Sequence, residues 1–165
     1  MPPLLSLKEF LMYIAAFNAR DYKLQHSFYH DDLKMVIPDP EIGTLFGSTG
    51  IMNHYDLVHA DAQETVVPMF VIINENRIFL SMEAYFFYTR ATDKAVHSHK
   101  VKPGDVIRVK VWAVYDMQDG KMACITCNAL GDEFLGEVDV DELITISWSR
   151  ADDDVKICWK DKGAF

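Results

Sequence analysis

The stretch that most constrains the fold is residues 66–90, in which two apolar runs flank the polar break 74–77. The runs are rich in Val, Ile, Phe and Tyr, which suit a packed, pleated surface, so the pattern predicts a β-hairpin. Side chains alternate across a strand, so Glu83 and Tyr85 share one face of the second strand. The same parity also contains Phe79, Ser81 and Phe87.

Glu83 is therefore the first candidate functional residue. A carboxylate among aromatic side chains is costly to bury unless it is paired, hydrogen-bonded or protonated. Burial in an apolar pocket raises the pKa of a carboxyl group toward working pH, which suits an acid or a base. The alternative is that Glu83 faces solvent on a half-exposed sheet.

The N-terminal segment predicts an amphipathic helix. Ser6 with Glu9 three residues later forms a capping-box pattern. The buried stripe of this helix has the spacing i, i+3, i+4, i+7 and consists of Phe10, Tyr13, Ile14 and Phe17. Tyr13 therefore lies on the buried face, where its hydroxyl needs a partner.

The next segment predicts two more helices around a short strand. Asp21 is a cap for a second helix at residues 22–30, and a turn at Asp31-Asp32 leads to a strand at residues 33–37. Asp39 lies between two prolines, which lack backbone donors and cannot continue regular pairing. A loop then leads to a third helix at residues 49–60, capped by Ser48 or Thr49.

The C-terminal half predicts a second strand pair at residues 105–117 and 122–130, joined by a turn. Helices followed by four long strands are typical of an α+β fold with a mostly antiparallel sheet. Two β-like runs at residues 143–148 and 155–159 predict either an extra hairpin or a partly disordered acidic tail. The sequence thus divides into a domain at residues 1–130 and an acidic extension at 131–165.

The composition indicates which binding partners and which cellular compartment to expect. The 165 residues carry a net charge of -9, which disfavours nucleic acid and anionic membrane surfaces as partners. No signal-peptide pattern or long apolar run is present, and three cysteines without framework spacing favour a reducing compartment. A cytoplasmic location is therefore expected.

The helix motif at residues 13–21, the Asp39-Pro40 dipeptide and the order of elements resemble the nuclear-transport-factor-two-like superfamily. Within it the pattern is most similar to ketosteroid isomerase and to the SnoaL-like polyketide cyclases and their fungal relatives. The resemblance covers about residues 6–130. It implies a cystatin-like α+β fold, in which a curved sheet and three N-terminal helices enclose a cone-shaped apolar cavity.

The resemblance also implies roles for individual residues. Tyr13 falls where ketosteroid isomerase keeps the tyrosine that hydrogen-bonds the developing enolate oxygen. Asp39 falls where that enzyme keeps its general base, although an aspartate beside proline is also an ordinary turn residue. Glu83 and Tyr85 fall on the cavity-facing parity. The second oxyanion donor of ketosteroid isomerase has no acidic counterpart here.

Further candidates for substrate binding are aromatic or histidine side chains that would line the cavity or fill it. They are Tyr85, Phe17, Phe87, Trp112, His54 and Tyr115. The histidine pairs at 26 and 30 and at 97 and 99 lack a third ligand, so no metal is expected. Cys124 and Cys127 lie within one strand and point to opposite faces, which indicates packed cysteines and no redox pair. No motif indicates a cofactor.

The sequence thus predicts a cofactor-free isomerase or cyclase of secondary metabolism that acts by enolisation on a polycyclic or aromatic ketone. Asp39 or Glu83 would move the proton, and Tyr13 with Tyr85 would stabilise the enolate. One alternative is a dehydratase or epoxide hydrolase in the same pocket. Another is a non-catalytic binding or dimerisation module, with the cavity filled by Phe79, Phe87 and Tyr85 and Glu83 in a structural pair.

A homodimer is the expected association state. It would pack through the outer sheet face around Arg108, Lys110 and Trp112.

Overall fold

A computed structural model describes residues 5–160, and at residue 97 it describes the backbone only. The elements are, in chain order, α1 (Leu7–Asn18), α2 (Tyr22–His26), β1 (Tyr29–Ile37), β2 (Gly43–Phe46), α3 (Gly47–Asp61), β3 (Ala62–Ile73), β4 (Arg77–Tyr88), β5 (Asp105–Gln118), β6 (Lys121–Glu137), α4 (Val140–Arg150) and α5 (Asp153–Lys160). A short 3₁₀ turn, Val96–Ser98, lies between β4 and β5.

The six strands form one curved, unclosed sheet in the order β2-β1-β6-β5-β4-β3. All neighbouring pairs are antiparallel except β1 and β6, which are parallel. The predicted α+β class, the mostly antiparallel sheet and the three N-terminal helices are thus confirmed. The predicted hairpin of β3 and β4 is present, and both strands are twelve residues long.

The start of α1 follows the sequence prediction closely. The Ser6 hydroxyl accepts from the Glu9 backbone N–H at 3.2 Å, and the Glu9 carboxylate accepts from the Ser6 backbone N–H at 2.8 Å. The predicted stripe Phe10, Tyr13, Ile14 and Phe17 is buried. The capping box therefore sets both the first turn of α1 and the face that it buries.

Three predictions in the first half are wrong. Asp31 and Asp32 lie within β1, where a register shift against β6 between Tyr29 and Lys34 accommodates them. A second strand, β2, replaces part of the predicted loop, because Gly43 with φ +70° turns the chain back along β1. Helix α3 begins at Gly47 without a side-chain cap, so neither Ser48 nor Thr49 caps it.

The C-terminal extension is helical, so the predicted β-like runs are wrong. Strand β6 continues past residue 130 to Glu137, and Asp139 then caps α4 by accepting from the backbone of Asp141 and Glu142 at 3.1 Å each. Short apolar runs are compatible with the two-residue repeat of a strand and with the roughly 3.6-residue repeat of a helix, and these runs form helices. No helix within residues 5–160 is long and apolar enough to cross a membrane.

The sheet has two faces with different coverings. The inner face contacts α1, because the Tyr115 ring of β5 packs against Phe10 and Tyr13 at centroid distances of 5.0 and 5.8 Å. The outer face contains Glu83 and Tyr85, and α4 covers it over β3 and β4. The space between α1, α3 and the inner face is called the interior below.

Candidate functional site

The central feature of the interior is a hydrogen-bonded pair of side chains, His59 and Glu64. His59 Nε2 lies 2.9 Å from Glu64 Oε2, and the two side chains are only 5% and 8% exposed. A carboxylate can only accept, so in the neutral imidazole Nε2 donates and Nδ1 is the acceptor. Among the described residues Nδ1 is buried without a hydrogen-bond partner. An imidazole oriented by a carboxylate, with its second nitrogen available, is suited to general base catalysis.

The helix–strand junction brings these two side chains together. Helix α3 ends at Asp61 and β3 begins at the next residue, so His59 and Glu64 lie on either side of a sharp change of direction. The Asn18 side chain accepts from the Val66 N–H at 2.8 Å and donates to the Val66 C=O at 2.9 Å. This contact fixes the end of α1 against the edge of β3, beside the pair.

Aromatic rings surround His59. The Tyr55 ring lies 5.4 Å from the His59 ring, and Phe17 lies 5.2 Å from Tyr55 and 5.9 Å from His59. Burial and the nearby Glu64 carboxylate hold the pKa of Tyr55 well above its ordinary value. The Tyr55 hydroxyl therefore stays protonated and can donate. The His54 ring packs on the Tyr55 ring at a centroid distance of 5.0 Å. The pKa of His54 is lowered, mainly by burial and to a smaller extent by the electrostatic effect of His59.

A chain of hydroxyl groups continues from α1 toward α2. The hydroxyls of Tyr13 and Tyr29 lie 3.3 Å apart, and Gln25 Nε2 donates to the Tyr29 hydroxyl at 2.9 Å. Burial raises the pKa of Tyr29 to about 12 and raises those of Tyr13 and Tyr115 well above their ordinary value. The interior thus holds several neutral phenols, which serve as hydrogen-bond donors.

Cys127 also faces the interior, because it pairs with Ala113 on the inner face of β5. Burial and the Glu64 charge raise the pKa of the Cys127 thiol to about 12, so it is protonated and a poor nucleophile. Cys124 and Cys127 lie in β6 and both are free thiols. This agrees with the prediction of packed cysteines.

Glu83 lies on the outer face, so the expectation that its parity faces the cavity is wrong. Arg150 donates from Nη1 to Glu83 Oε1 at 3.0 Å and from Nη2 to Oε2 at 2.9 Å. The Ser147 hydroxyl also donates to this carboxylate. Burial alone would raise the pKa of Glu83, but the bonds from Arg150 and Ser147 outweigh it and the pKa is lowered. Helix α4 carries both partners, and no pattern in the sequence predicts that it covers this face.

Tyr85 belongs to the same structural network. It is 1% exposed, and its hydroxyl lies 2.6 Å from the Ser147 hydroxyl and donates to the Leu143 C=O at 3.3 Å. These contacts anchor α4 to β4. Tyr85 therefore packs under a helix and does not line the interior.

Asp39 lies in the turn between β1 and β2. Its Oδ1 accepts from the Glu41 backbone N–H at 2.9 Å, and its C=O accepts from Ile42 and Gly43 at 3.0 and 2.8 Å. The side-chain bond is that of an Asx turn, and the two backbone bonds close the same turn. The hydrogen bonds that the structure gives to Asp39 thus correspond to the turn-residue alternative.

The remaining predicted substrate-binding residues divide between the two faces. Phe17, His54 and Tyr115 lie in or beside the interior together with Tyr13. Phe87 and Trp112 lie on the outer face, where Trp112 is 49% exposed and packs against Phe79 at 5.9 Å.

Sequence reasoning placed His59 and Tyr55 together on the third helix but did not bring them together with Tyr29 and Glu64. Extending the predicted hairpin strand back from Val66 to Ala62 would have placed Glu64 on the parity of Val66. His59 precedes Glu64 by five residues across the junction. This five-residue spacing is the feature of the sequence from which the pair could have been predicted.

Two other features lie outside the interior. A polar surface recess of about 840 Å³ at the β3–β4 turn is lined by Asn74, Glu75, Asn76, Arg77, Asp116 and Met117. The exposed ion pair of Arg77 and Asp116 lies in it, at the opposite end of β3 from His59. Within residues 5–160 no group of three or more His, Cys, Asp or Glu side chains is placed to hold a metal ion.

Comparisons with known proteins identify the fold. No family model and no curated protein sequence matches the chain. A "putative polyketide cyclase" from Pseudomonas putida is 15% identical with a TM-score of 0.62, over 86% of this chain and 97% of the other. An NTF2-like protein of unknown function from Burkholderia pseudomallei is 17% identical with a TM-score of 0.57, over 86% and 97%.

A third similar structure was co-crystallised with a small molecule. It is TerC co-crystallised with polyporic acid, which is 18% identical with a TM-score of 0.56 over 86% of this chain and 98% of that one. At these identities the likeness concerns the fold. The chain has the nuclear-transport-factor-two-like fold, as its resemblance to that superfamily predicted.

Proposed function

We propose that the protein is a cofactor-free isomerase or cyclase that moves a proton on an aromatic or polycyclic ketone. The observation that carries this proposal is the buried His59–Glu64 pair, whose Nδ1 is left as an unpartnered acceptor inside the interior. An enolisation needs a base near the α-carbon and a donor near the carbonyl oxygen, and the interior offers both.

In this mechanism His59 Nδ1 removes a proton from the carbon next to the carbonyl group. Glu64 holds Nε2–H and stabilises the imidazolium that forms. The enolate oxygen accepts hydrogen bonds from Tyr55, which packs against His59, and from Tyr13. The imidazolium then returns the proton to another carbon in an isomerisation. In a cyclisation the enolate carbon attacks a second carbonyl group, and the new alkoxide takes the proton.

His59 is a better base than either carboxylate suggested by the sequence. Glu83 is held by Arg150 and Ser147, and its lowered pKa makes it a weak base. Asp39 makes turn hydrogen bonds. A neutral imidazole whose second nitrogen is held by a carboxylate is a common general base.

The similar structures support this choice of reaction class. Proteins of the same fold bear the description "putative polyketide cyclase". Another, from Streptomyces galilaeus, bears the description "putative hydroxylase", which names a different reaction. TerC was crystallised with polyporic acid. We therefore propose an aromatic natural product of secondary metabolism as the substrate of this chain.

Substrate access requires side-chain movement, because the interior is packed. Ring centroids of Phe17, Tyr55, Tyr13, Tyr29 and Tyr115 lie 5.2–6.0 Å from their nearest ring neighbours in this set. A ligand enters only when some of these rings separate. Phe17 and Tyr55 adjoin His59 and are the first that must move.

The same packing favours a second candidate function, a non-catalytic binding or dimerisation module. Glu83 is in a structural pair, as that alternative predicts, although Phe79, Phe87 and Tyr85 lie on the outer face and do not fill the interior. In this case the tyrosines act only as core, and His59–Glu64 is a buried structural pair.

Deuterium uptake separates the two candidates. Cyclic ketones such as α-tetralone and β-tetralone are incubated in heavy water with the wild type, with His59→Gln and with His30→Gln as a matched control. Uptake above background that His59→Gln abolishes and His30→Gln leaves unchanged supports enolisation. If ketones bind but take up no deuterium, enolisation is rejected and the non-catalytic binding module is the remaining candidate.

We also propose that the protein forms a homodimer through the part of the outer face that α4 leaves open. Its exposed apolar side chains Phe70, Ile72 and Trp112 are 43%, 50% and 49% exposed. Phe70 and Trp112 flank Ser81 in adjacent strands, so they lie in one row across the sheet. A row of half-exposed apolar groups is suited to association.

A further inference from the structure

Gln25 is a deeply buried polar side chain that the proposed mechanism does not use. It lies in α2 and is 1% exposed. Its Nε2 donates to the Tyr29 hydroxyl at 2.9 Å, while its Oε1 is buried without a partner among the described residues. A buried acceptor without a donor costs free energy, and an apolar side chain of the same size would avoid that cost.

A second unpartnered atom lies beside Gln25. His26 Nε2 is buried without a hydrogen-bond partner in the described part of the chain, and the His26 ring packs against Tyr29 at 4.9 Å. Burial lowers the pKa of His26, so the ring is neutral at working pH. Unsatisfied polar atoms thus cluster at the α2 end of the interior, around the Tyr29 ring.

The α2 end is connected to His59 through the tyrosines. Gln25 bonds Tyr29, the Tyr29 and Tyr13 hydroxyls are adjacent, and the Tyr13 and Tyr115 rings are in contact. Tyr55, beside His59, is close enough to Tyr29 and Tyr115 to interact with them electrostatically. The interior therefore has an unpartnered acceptor at each end, His59 Nδ1 and Gln25 Oε1, with phenol donors between them.

We propose that Gln25 forms a second polar subsite, which accepts a hydrogen bond from a hydroxyl group of the substrate distant from the reacting carbon. This inference rests on the proposed function, because it concerns the same interior. It defines the substrate class as an aromatic bicyclic or larger compound with hydroxyl groups on separate rings. A hydroxyl group satisfies Gln25 Oε1, whereas a methyl ether brings no donor and leaves the acceptor unpaired.

Three small probes test the subsite without knowledge of the natural substrate. They are a naphthalenediol with its hydroxyls on different rings, its monomethyl ether and its dimethyl ether. Calorimetry gives the affinity of each for the wild type and for Gln25→Met, which keeps the side-chain length and removes both polar atoms. Circular dichroism and thermal melting establish that the variant is folded, and the comparison of the three probes on the wild type needs no variant.

For the wild type we expect the diol to bind about tenfold more tightly than the monomethyl ether, since one buried acceptor loses its donor. In Gln25→Met we expect the advantage of the diol over the monomethyl ether to fall to below about threefold. Equal affinities of the diol and the dimethyl ether for the wild type would overturn the proposal, as would an unchanged advantage in Gln25→Met. Failure of all three probes to bind would overturn it as well.

Failure of the subsite is distinguishable from failure of the proposed function. Ketone deuterium uptake that depends on His59 can be present when the diol has no advantage, which would reject the subsite alone. Conversely, a diol advantage that depends on Gln25 with no deuterium uptake for any ketone would support the subsite and reject the enolisation chemistry.

Discussion

His59 and Glu64 face each other across the junction of α3 and β3, with 2.9 Å between Nε2 and Oε2. Both side chains are more than nine-tenths buried, so solvent screens their interaction little. Glu64 therefore lies on the inner face of the sheet, and Glu83 lies on the outer face. The candidate chemistry thus differs from the sequence expectation in its base and agrees with it in Tyr13, whereas Tyr55 takes the place of Tyr85.

Removal of a tyrosine hydroxyl tests the oxyanion role. Tyr55→Phe and Tyr13→Phe each keep the ring and remove one donor. We expect the rate of ketone deuterium uptake to fall by ~10²–10³ for a tyrosine that contacts the enolate. Nuclear magnetic resonance of the ketone α-protons gives the rates. A loss of less than about threefold would show that the hydroxyl concerned has only a packing role.

Substitution of Arg150 tests how much the Glu83–Arg150 pair contributes to holding α4 on the outer face. Arg150→Ala leaves the Glu83 carboxylate buried with Ser147 as its nearest donor. Breaking a buried pair costs about 3–5 kcal/mol, but Arg150 is 47% exposed, so we expect a loss of about 1–2 kcal/mol in the free energy of unfolding. Urea titration measures it.

The exposed ion pair of Arg77 and Asp116 supplies the control for that measurement. Its side chains are 68% and 41% exposed, so Arg77→Ala should leave the urea midpoint unchanged. Equal effects of Arg150→Ala and Arg77→Ala would contradict the structural role of the Glu83–Arg150 pair.

The pH dependence of stability follows from Glu83. Its pKa in the folded protein is lower than that of an unfolded glutamate, about 4.3, so the carboxylate stabilises the fold above that pH. This contribution is lost as the pH falls through the lowered folded pKa. The stability difference between the wild type and Glu83→Gln should therefore shrink between pH 7 and pH 3. A difference that grows on acidification would mean that the pKa of Glu83 is raised.

The proposed dimer is tested by sedimentation velocity. Trp112→Asp places a charge in the open part of the outer face, and we expect it to convert a dimeric species into a monomer. Leu57→Asp is the control, because Leu57 is 76% exposed on α3, away from that face. A monomeric wild type, or dissociation by both variants alike, would contradict this interface.

The sequence predicted the elements whose signals are local. The capping box of Ser6 and Glu9, the stripe of α1 and the break between β3 and β4 each lie within a few residues. The burial of Tyr13 and Phe17 followed from helical spacing alone. These features need no knowledge of which surface lies opposite.

The candidate site was less predictable because it depends on what covers each face. Alternation correctly grouped Glu83 with Tyr85, but it does not specify whether their face points toward α1 or toward α4. That choice is made by residues 140–150, whose short apolar run fits a strand as well as a helix. The His59–Glu64 pair was missed because β3 begins four residues before the predicted hairpin strand.

The most direct test asks which of three carboxylates is needed for the proposed base, His59, to work. Glu64→Gln, Glu83→Gln and Asp39→Asn are assayed with the wild type for deuterium uptake by the same ketone, after thermal melting has established that each is folded. We expect Glu64→Gln to lower the uptake rate by at least about a hundredfold, since the imidazole loses its orienting anion, and the other two to stay within about threefold of the wild type. Full uptake by Glu64→Gln, or its loss in Glu83→Gln or Asp39→Asn alone, would contradict a site centred on His59 and Glu64.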